Sequence, residues 1–107
     1  MKYIPNPIDT SNVQLTDDLL LLTELLAANI HDVWAKGRIE EGWVYGEAKD
    51  SVKRTTPCLV PYHMLSDEEK AYDRNTAMET IKVLVSLGYN IEKGRSNDQP
   101  TDFVGNE

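Results

Sequence analysis

A chain of 107 residues holds a single compact core and is too short to divide a catalytic from a regulatory half. Its formal charge of -7, with 18 acidic against 11 basic residues and no long Lys/Arg block, repels phosphate backbones and argues against nucleic acid as a partner. The lone cysteine, Cys58, excludes an internal disulfide and every multi-cysteine zinc pattern, fits a reducing compartment, and reads as a small buried hydrophobe beside Leu59 and Val60.

Residues 3 to 15 carry Pro5, Pro7, Asn6, Asp9, Thr10 and Ser11, which hold the backbone in extended and turn conformations and predict an N-terminal arm. Thr16 is a good N-cap, and Asp17 and Asp18 set negative charge at the positive end of a helix dipole. The long helix that follows has Leu19, Leu22, Leu26, Ile30 and Val33 at three-and-four spacing, with Leu21 and Leu25 widening the stripe. It ends near Glu41 with Gly42 as a left-handed cap, a break at Gly37 being the alternative. From Trp43 to Leu65 short alternating runs mix with turn formers. Trp43-Val44-Tyr45 and Cys58-Leu59-Val60 read as two short strands able to pair as an antiparallel ribbon, joined by a polar, exposed loop from Glu47 to Thr56.

Ser66-Asp67-Glu68-Glu69 is a capping box that opens a second helix running to about Leu87. Met78, Ile81 and Val85 form its core stripe with Ala77 and Leu84, and Gly88 stops it. Glu92 to Glu107 offers only Phe103 and Val104 for burial and reads as a flexible polar tail. The expected fold is mainly α: two long helices packed together, a small antiparallel β element and an extended N-terminal arm, with residues 1 to 91 as the domain and 92 to 107 as the tail. The N-terminus has no apolar signal core, and no stretch approaches the roughly twenty apolar residues of a membrane span, so the protein is expected in the cytoplasm.

Candidate site residues concentrate on the first helix, where His31, Trp34 and Arg38 share one face. They form either a pocket wall, with a planar ring stacked on Trp34 and an anion held by Arg38, or a structural polar seam with Trp34 in the core. Arg74 lies one turn before Met78 on the expected buried face and therefore requires an anion, which is internal (Asp32, Glu40 or Asp73) or a ligand. Lys70, four residues earlier, shares its edge. His31 and His63 fit no metal motif, Cys58 and His63 lack a third orienting group for catalysis, and no Gly-rich phosphate loop or nucleophile elbow is present. No enzyme, no metal and no cofactor is therefore expected.

Several stretches, in order, resemble the repeat of ryanodine receptors, the RyR domain. Covering residues 3 to about 91, they are the arm Tyr3-Ile4-Pro5-Asn6-Pro7-Ile8-Asp9-Thr10-Ser11, the helix end Leu26-Ala27-Ala28-Asn29-Ile30-His31-Asp32-Val33-Trp34-Ala35, the turn Gly42-Trp43-Val44-Tyr45-Gly46, the stretch Pro57-Cys58-Leu59-Val60-Pro61-Tyr62, and the run Glu69-Lys70-Ala71-Tyr72-Asp73-Arg74 leading to Glu79-Thr80-Ile81-Lys82 and Leu87-Gly88-Tyr89. In the receptors these repeats occur as tandem pairs far from the pore, and free-standing relatives have been proposed to sense nucleotide-derived ligands. The resemblance implies a non-enzymatic binding module. Read with the residues above, it makes His31, Trp34, Arg38, Trp43, Tyr45, Tyr62, Lys70 and Arg74 a candidate site for a small anionic or nucleotide-derived ligand. The other reading is an interaction module that forms a homodimer or engages a protein partner, with the Leu19 to Leu26 stripe as part of the contact.

Overall fold

The computed structural model describes residues 2 to 94. In chain order it contains α1 (Asp17–Glu40), β1 (Val44–Tyr45), β2 (Thr55–Thr56), a 3-10 turn (Tyr62–Met64) and α2 (Asp67–Ser86). The expected tail falls outside the described residues from position 95 onward.

Both helices start where their caps place them. The Thr16 hydroxyl accepts the Leu19 amide, while Ser66 and Glu69 exchange side chain and backbone bonds in a complete capping box. Gly42 and Gly88, just past the two helices, take φ of +94° and +97°, a region where a side chain is strained. The helix α1 runs unbroken through Gly37.

The two helices pack on each other along a narrow face. Ala27 of α1 and Ala77 of α2 are almost completely buried, and their small side chains let the backbones approach closely, with Ile81 filling the next turn. On α1 the deepest residues are Thr23, Ala27 and His31, four apart, and not the leucine series itself. Thr23 is tolerated there because its hydroxyl donates to the Leu20 carbonyl. Leu19, Leu22, Leu26 and Ile30 sit half-buried beside that line, whereas Leu21, Leu25 and Val33 are exposed, against expectation. Leu84 is likewise on the open side of α2.

The N-terminal arm has no regular structure but is tied down at one point. Thr10 is buried and its hydroxyl donates to Glu79 of α2 at 2.8 Å, and the arm then brings Leu15 into the core ahead of α1. The side chain of Asp9 accepts the Ser11 amide, which turns the chain at this anchor.

The β element corrects the sequence reading twice. β1 pairs with β2 in parallel, Val44 opposite Thr55 and Tyr45 opposite Thr56, and Cys58-Leu59-Val60 is not a strand. Direction is restored because the connection reverses twice. After the first reversal a tight turn closes between Asp50 and Thr55, which exchange both backbone bonds at 3.0 Å. The Asp50 carboxylate accepts the amides of Val52 and Lys53, and Arg54 takes a left-handed φ of 58°. Thr56 is thereby buried, not part of an exposed loop. The stretch Cys58 to Val60 lies between Pro57 and Pro61, neither of which can donate to a ladder, and the Val60 carbonyl is taken by a side chain of α1.

Candidate functional site

His31 is the pivot of the interface between α1 and the segment leading into α2. It is 4% exposed, and its Nε2–H donates to the Val60 carbonyl at 2.7 Å; a carbonyl can only accept, so that nitrogen carries the proton. Three residues on, Trp34 stacks against the imidazole with ring centroids 5.6 Å apart. Tyr62 approaches the same ring from the 3-10 turn at 6.4 Å. The helical spacing that placed His31 and Trp34 on one face thus delivers both, with His31 as a satisfied interface group and Trp34 open to solvent on its outer side.

Beside these rings lies a pocket of about 240 Å³. Its walls are His31 and Trp34 from α1, Cys58 and Leu65 from the connection, and Glu69, Tyr72 and Asp73 from α2. The last five lie outside the expected site. A signal for them exists in the sequence: Leu65, Glu69, Asp73 and Ala77 are four apart, so the two acids share a flank with a core alanine and are not on the solvated face.

The electrostatics of this pocket are acidic. The Cys58 thiol donates to one Glu69 oxygen at 2.8 Å, and the Ser66 amide donates to the other at 3.1 Å. These bonds hold the Glu69 carboxyl below its usual range, while burial, and then the adjacent carboxylate, push the Cys58 thiol upward. A raised thiol pKa is the reverse of what a nucleophile needs. Asp73 is half-buried, and burial raises its carboxyl; the field of His31 opposes that rise and Glu69 adds to it. Among the described residues, no group of three His, Cys, Asp or Glu side chains could hold a metal ion.

Arg38 continues the aromatic wall away from the pocket. Its guanidinium lies 5.8 Å from the Trp34 ring and 5.0 Å from that of Trp43, and it pairs with Glu41 at 3.1 Å. Tyr45 is exposed on β1 and does not line the pocket.

Lys70 and Arg74 belong to a separate cluster. Arg74 is half-exposed, not buried, and its partner is none of the expected acids: it grips Glu24 of α1 with two bonds, Nη2 to Oε2 at 2.9 Å and Nε to Oε1. The burial expectation fails because Arg74 is three residues short of Ala77, at the edge of the helix contact, where a long side chain can reach back to α1. The pair holds the Glu24 carboxyl below its usual range. Lys70 Nζ lies 5.9 Å from the Tyr62 ring. The Tyr62 hydroxyl is buried next to the Glu24–Arg74 pair without a hydrogen bond of ordinary geometry, and burial first, then Glu24, raises its phenol.

The eight expected residues therefore divide into His31, Trp34, Arg38 and Trp43 along one aromatic wall, Tyr62, Lys70 and Arg74 along a seam closed by Glu24, and Tyr45 apart. No helix among the described residues is long and apolar enough to cross a membrane. Two packed helices, the arm and the β element between them extend over the same part of the chain as the family model of the RyR domain, which matches residues 3 to 93, and the chain belongs to the RyR domain family.

Proposed function

We propose that the chain is a non-enzymatic binding module that receives a small planar, nucleotide-derived ligand in the pocket beside Trp34. One observation supports this above others: the Trp34 indole, 37% exposed, borders a concave site that also gathers the polar groups of Cys58, Glu69 and Asp73, the usual make-up of a small-molecule site. At about 240 Å³ it lies just below the roughly 300 to 1,000 Å³ of drug-sized sites, so it takes a ring while the remainder of the ligand lies outside. Arg38, further along the same wall, would meet an anionic group there in exchange for its exposed pair with Glu41. The raised Cys58 thiol supports a binding role over nucleophilic catalysis, and a free thiol suits a reducing, cytoplasmic setting.

Thermal denaturation with a panel of nucleotides and ADP-ribose-type compounds tests this reading. A ligand at a hundred times its Kd adds about 2.7 kcal/mol of stability, and Trp34→Ala abolishes the gain. No shift with any member of the panel removes the proposal.

A second reading, assembly through the leucines, draws on a different feature. Leu21 and Leu25 are 79% and 68% exposed and, with Leu19, Leu22 and Ile91, line an apolar groove of about 770 Å³. A twofold dimer through that face appears in analytical ultracentrifugation as a concentration-dependent rise above the 12.1 kDa of one chain, and a constant mass excludes it.

A further inference from the structure

We propose that the leucine groove at the start of α1 receives the N-terminal arm of a second copy of this chain, Lys2 to Asp9, so that two copies exchange arms about a twofold axis. This rests on the assembly reading above and names what fills the groove: an extended arm, and not a second leucine face.

The chain carries both halves of such a contact without bringing them together. Tyr3, Ile4 and Ile8 are 81%, 79% and 55% exposed, and the groove of about 770 Å³ is walled by Leu19, Leu21, Leu22, Leu25 and Ile91, with no residue of the arm along it among those described. The base of the arm is set in a direction of its own. Thr10 is buried on Glu79, the Asp9 carboxylate accepts the Ser11 amide, and the Thr10 carbonyl accepts the Val13 amide at 3.0 Å. Turning the arm back into its own groove would give up these bonds, whereas the arm of a second copy enters without disturbing them. Pro5 and Pro7 keep the arm extended before it docks, which lowers the cost of ordering it. Extended, residues 2 to 9 reach at most roughly 26 to 29 Å, well beyond the roughly 9 Å of helix from Leu19 to Leu25. Area points the same way. The three apolar side chains of each arm offer roughly 400 Å² and a groove answers with a similar area, so two reciprocal contacts come to roughly 1,600 Å², the standard size of a stable interface. With a formal charge of -7 two copies repel in most orientations, but Asp18 and Glu92 outnumber Lys93 on the groove rim and Lys2 is the cation at the outer end of the arm, so opposite signs meet here.

Sedimentation equilibrium of the full chain, of Ile4→Asp in the arm, of Leu21→Asp in the groove and of an equimolar mixture of the two variants tests this. Both substituted side chains are exposed, so the fold does not depend on them, and far-UV circular dichroism verifies that it is kept. Wild type should approach twice 12.1 kDa as concentration rises, and each variant should self-associate about tenfold or more weakly, because both arm contacts are lost at once. The mixture should then form a heterodimer that neither variant forms alone, since Leu21→Asp keeps its arm and Ile4→Asp keeps its groove. Leu25→Lys, a second groove variant, should behave as Leu21→Asp does. An Ile4→Asp variant that dimerises as well as wild type overturns the exchange and leaves a leucine-face dimer standing, and a mixture no more associated than its components overturns the exchange as well. Wild type at a constant 12.1 kDa, or a dimer indifferent to both groove variants, removes both readings.

Discussion

His31→Leu is the substitution that most sharply separates interface chemistry from ligand chemistry. Leucine is close to histidine in size, so the dominant loss is the bond from Nε2 to the Val60 carbonyl, together with the stack on Trp34. A stranded buried acceptor costs about 1 to 3 kcal/mol. Val60 is only half-buried, so its carbonyl recovers some hydration and the lower half of that range applies, about 1.5 kcal/mol. The lost ring contact adds about 0.5 kcal/mol or more, and the greater hydrophobicity of leucine offsets part of it. The expected net loss is about 2 kcal/mol, which for a domain of this size lowers the melting temperature by about 8 to 16 °C. Thermal unfolding followed by far-UV circular dichroism reads this, with His31→Gln, whose amide can still donate to Val60, falling between wild type and His31→Leu. A His31→Leu variant melting within about 2 °C of wild type would refute the claim that this bond fastens the connection to α1.

Gly46→Ala should lose about 1 to 3 kcal/mol, because a Cβ built there lies 2.6 Å from the Thr55 Cβ across the parallel ribbon; an unchanged melting temperature would mean that the ribbon is not closely packed. Ser66→Ala removes one half of the α2 capping box and should cost about 1 kcal/mol in urea denaturation, and no change in the midpoint would contradict its role. Glu24 and Glu69 have folded pKa values below their ordinary 4.5, so the stability they contribute is present above about pH 4.5 and is lost as pH falls through the depressed values. Asp73 acts in the opposite sense, its raised pKa favouring the folded state on protonation, but it is one carboxyl against three, Asp9 being lowered as well. Urea midpoints should thus decline on acidification, less steeply in Glu69→Gln, and a flat profile would count against these contacts.

The parts of the fold that were legible are those fixed by short-range chemistry. Thr16, Ser66 with Glu69, Gly42 and Gly88 set helix ends through contacts within a few residues, and such contacts are written consecutively in the sequence. The direction of the ribbon was hidden because it depends on a turn in which Arg54, a residue with no marked preference for positive φ, takes the left-handed conformation, while two prolines disqualify the more hydrophobic run as a strand. At the site, aromatic residues announced themselves and acids did not. Glu69 and Asp73 look like solvated helix charges until the position of Ala77 reveals that their flank is turned inward. The Arg74 partner was out of reach for another reason: Glu24 lies 50 residues away, and only the angle between two helices brings them together.

Arg54 joins two structures that would otherwise come apart separately. Its backbone carbonyl accepts the Val44 amide at 2.9 Å, and its guanidinium donates to the Glu41 carbonyl at the end of α1. A long helix ordinarily frays at its last turn, and a two-residue ribbon opens readily in isolation. Bound through one side chain, the helix end and the ribbon should behave as a single cooperative unit in native-state hydrogen exchange. The amides of Glu41, Trp43 and Val44, each bonded within this unit, should then open with a common free energy, the platform that carries Trp43 and Arg38 holding its shape for as long as the end of α1 does.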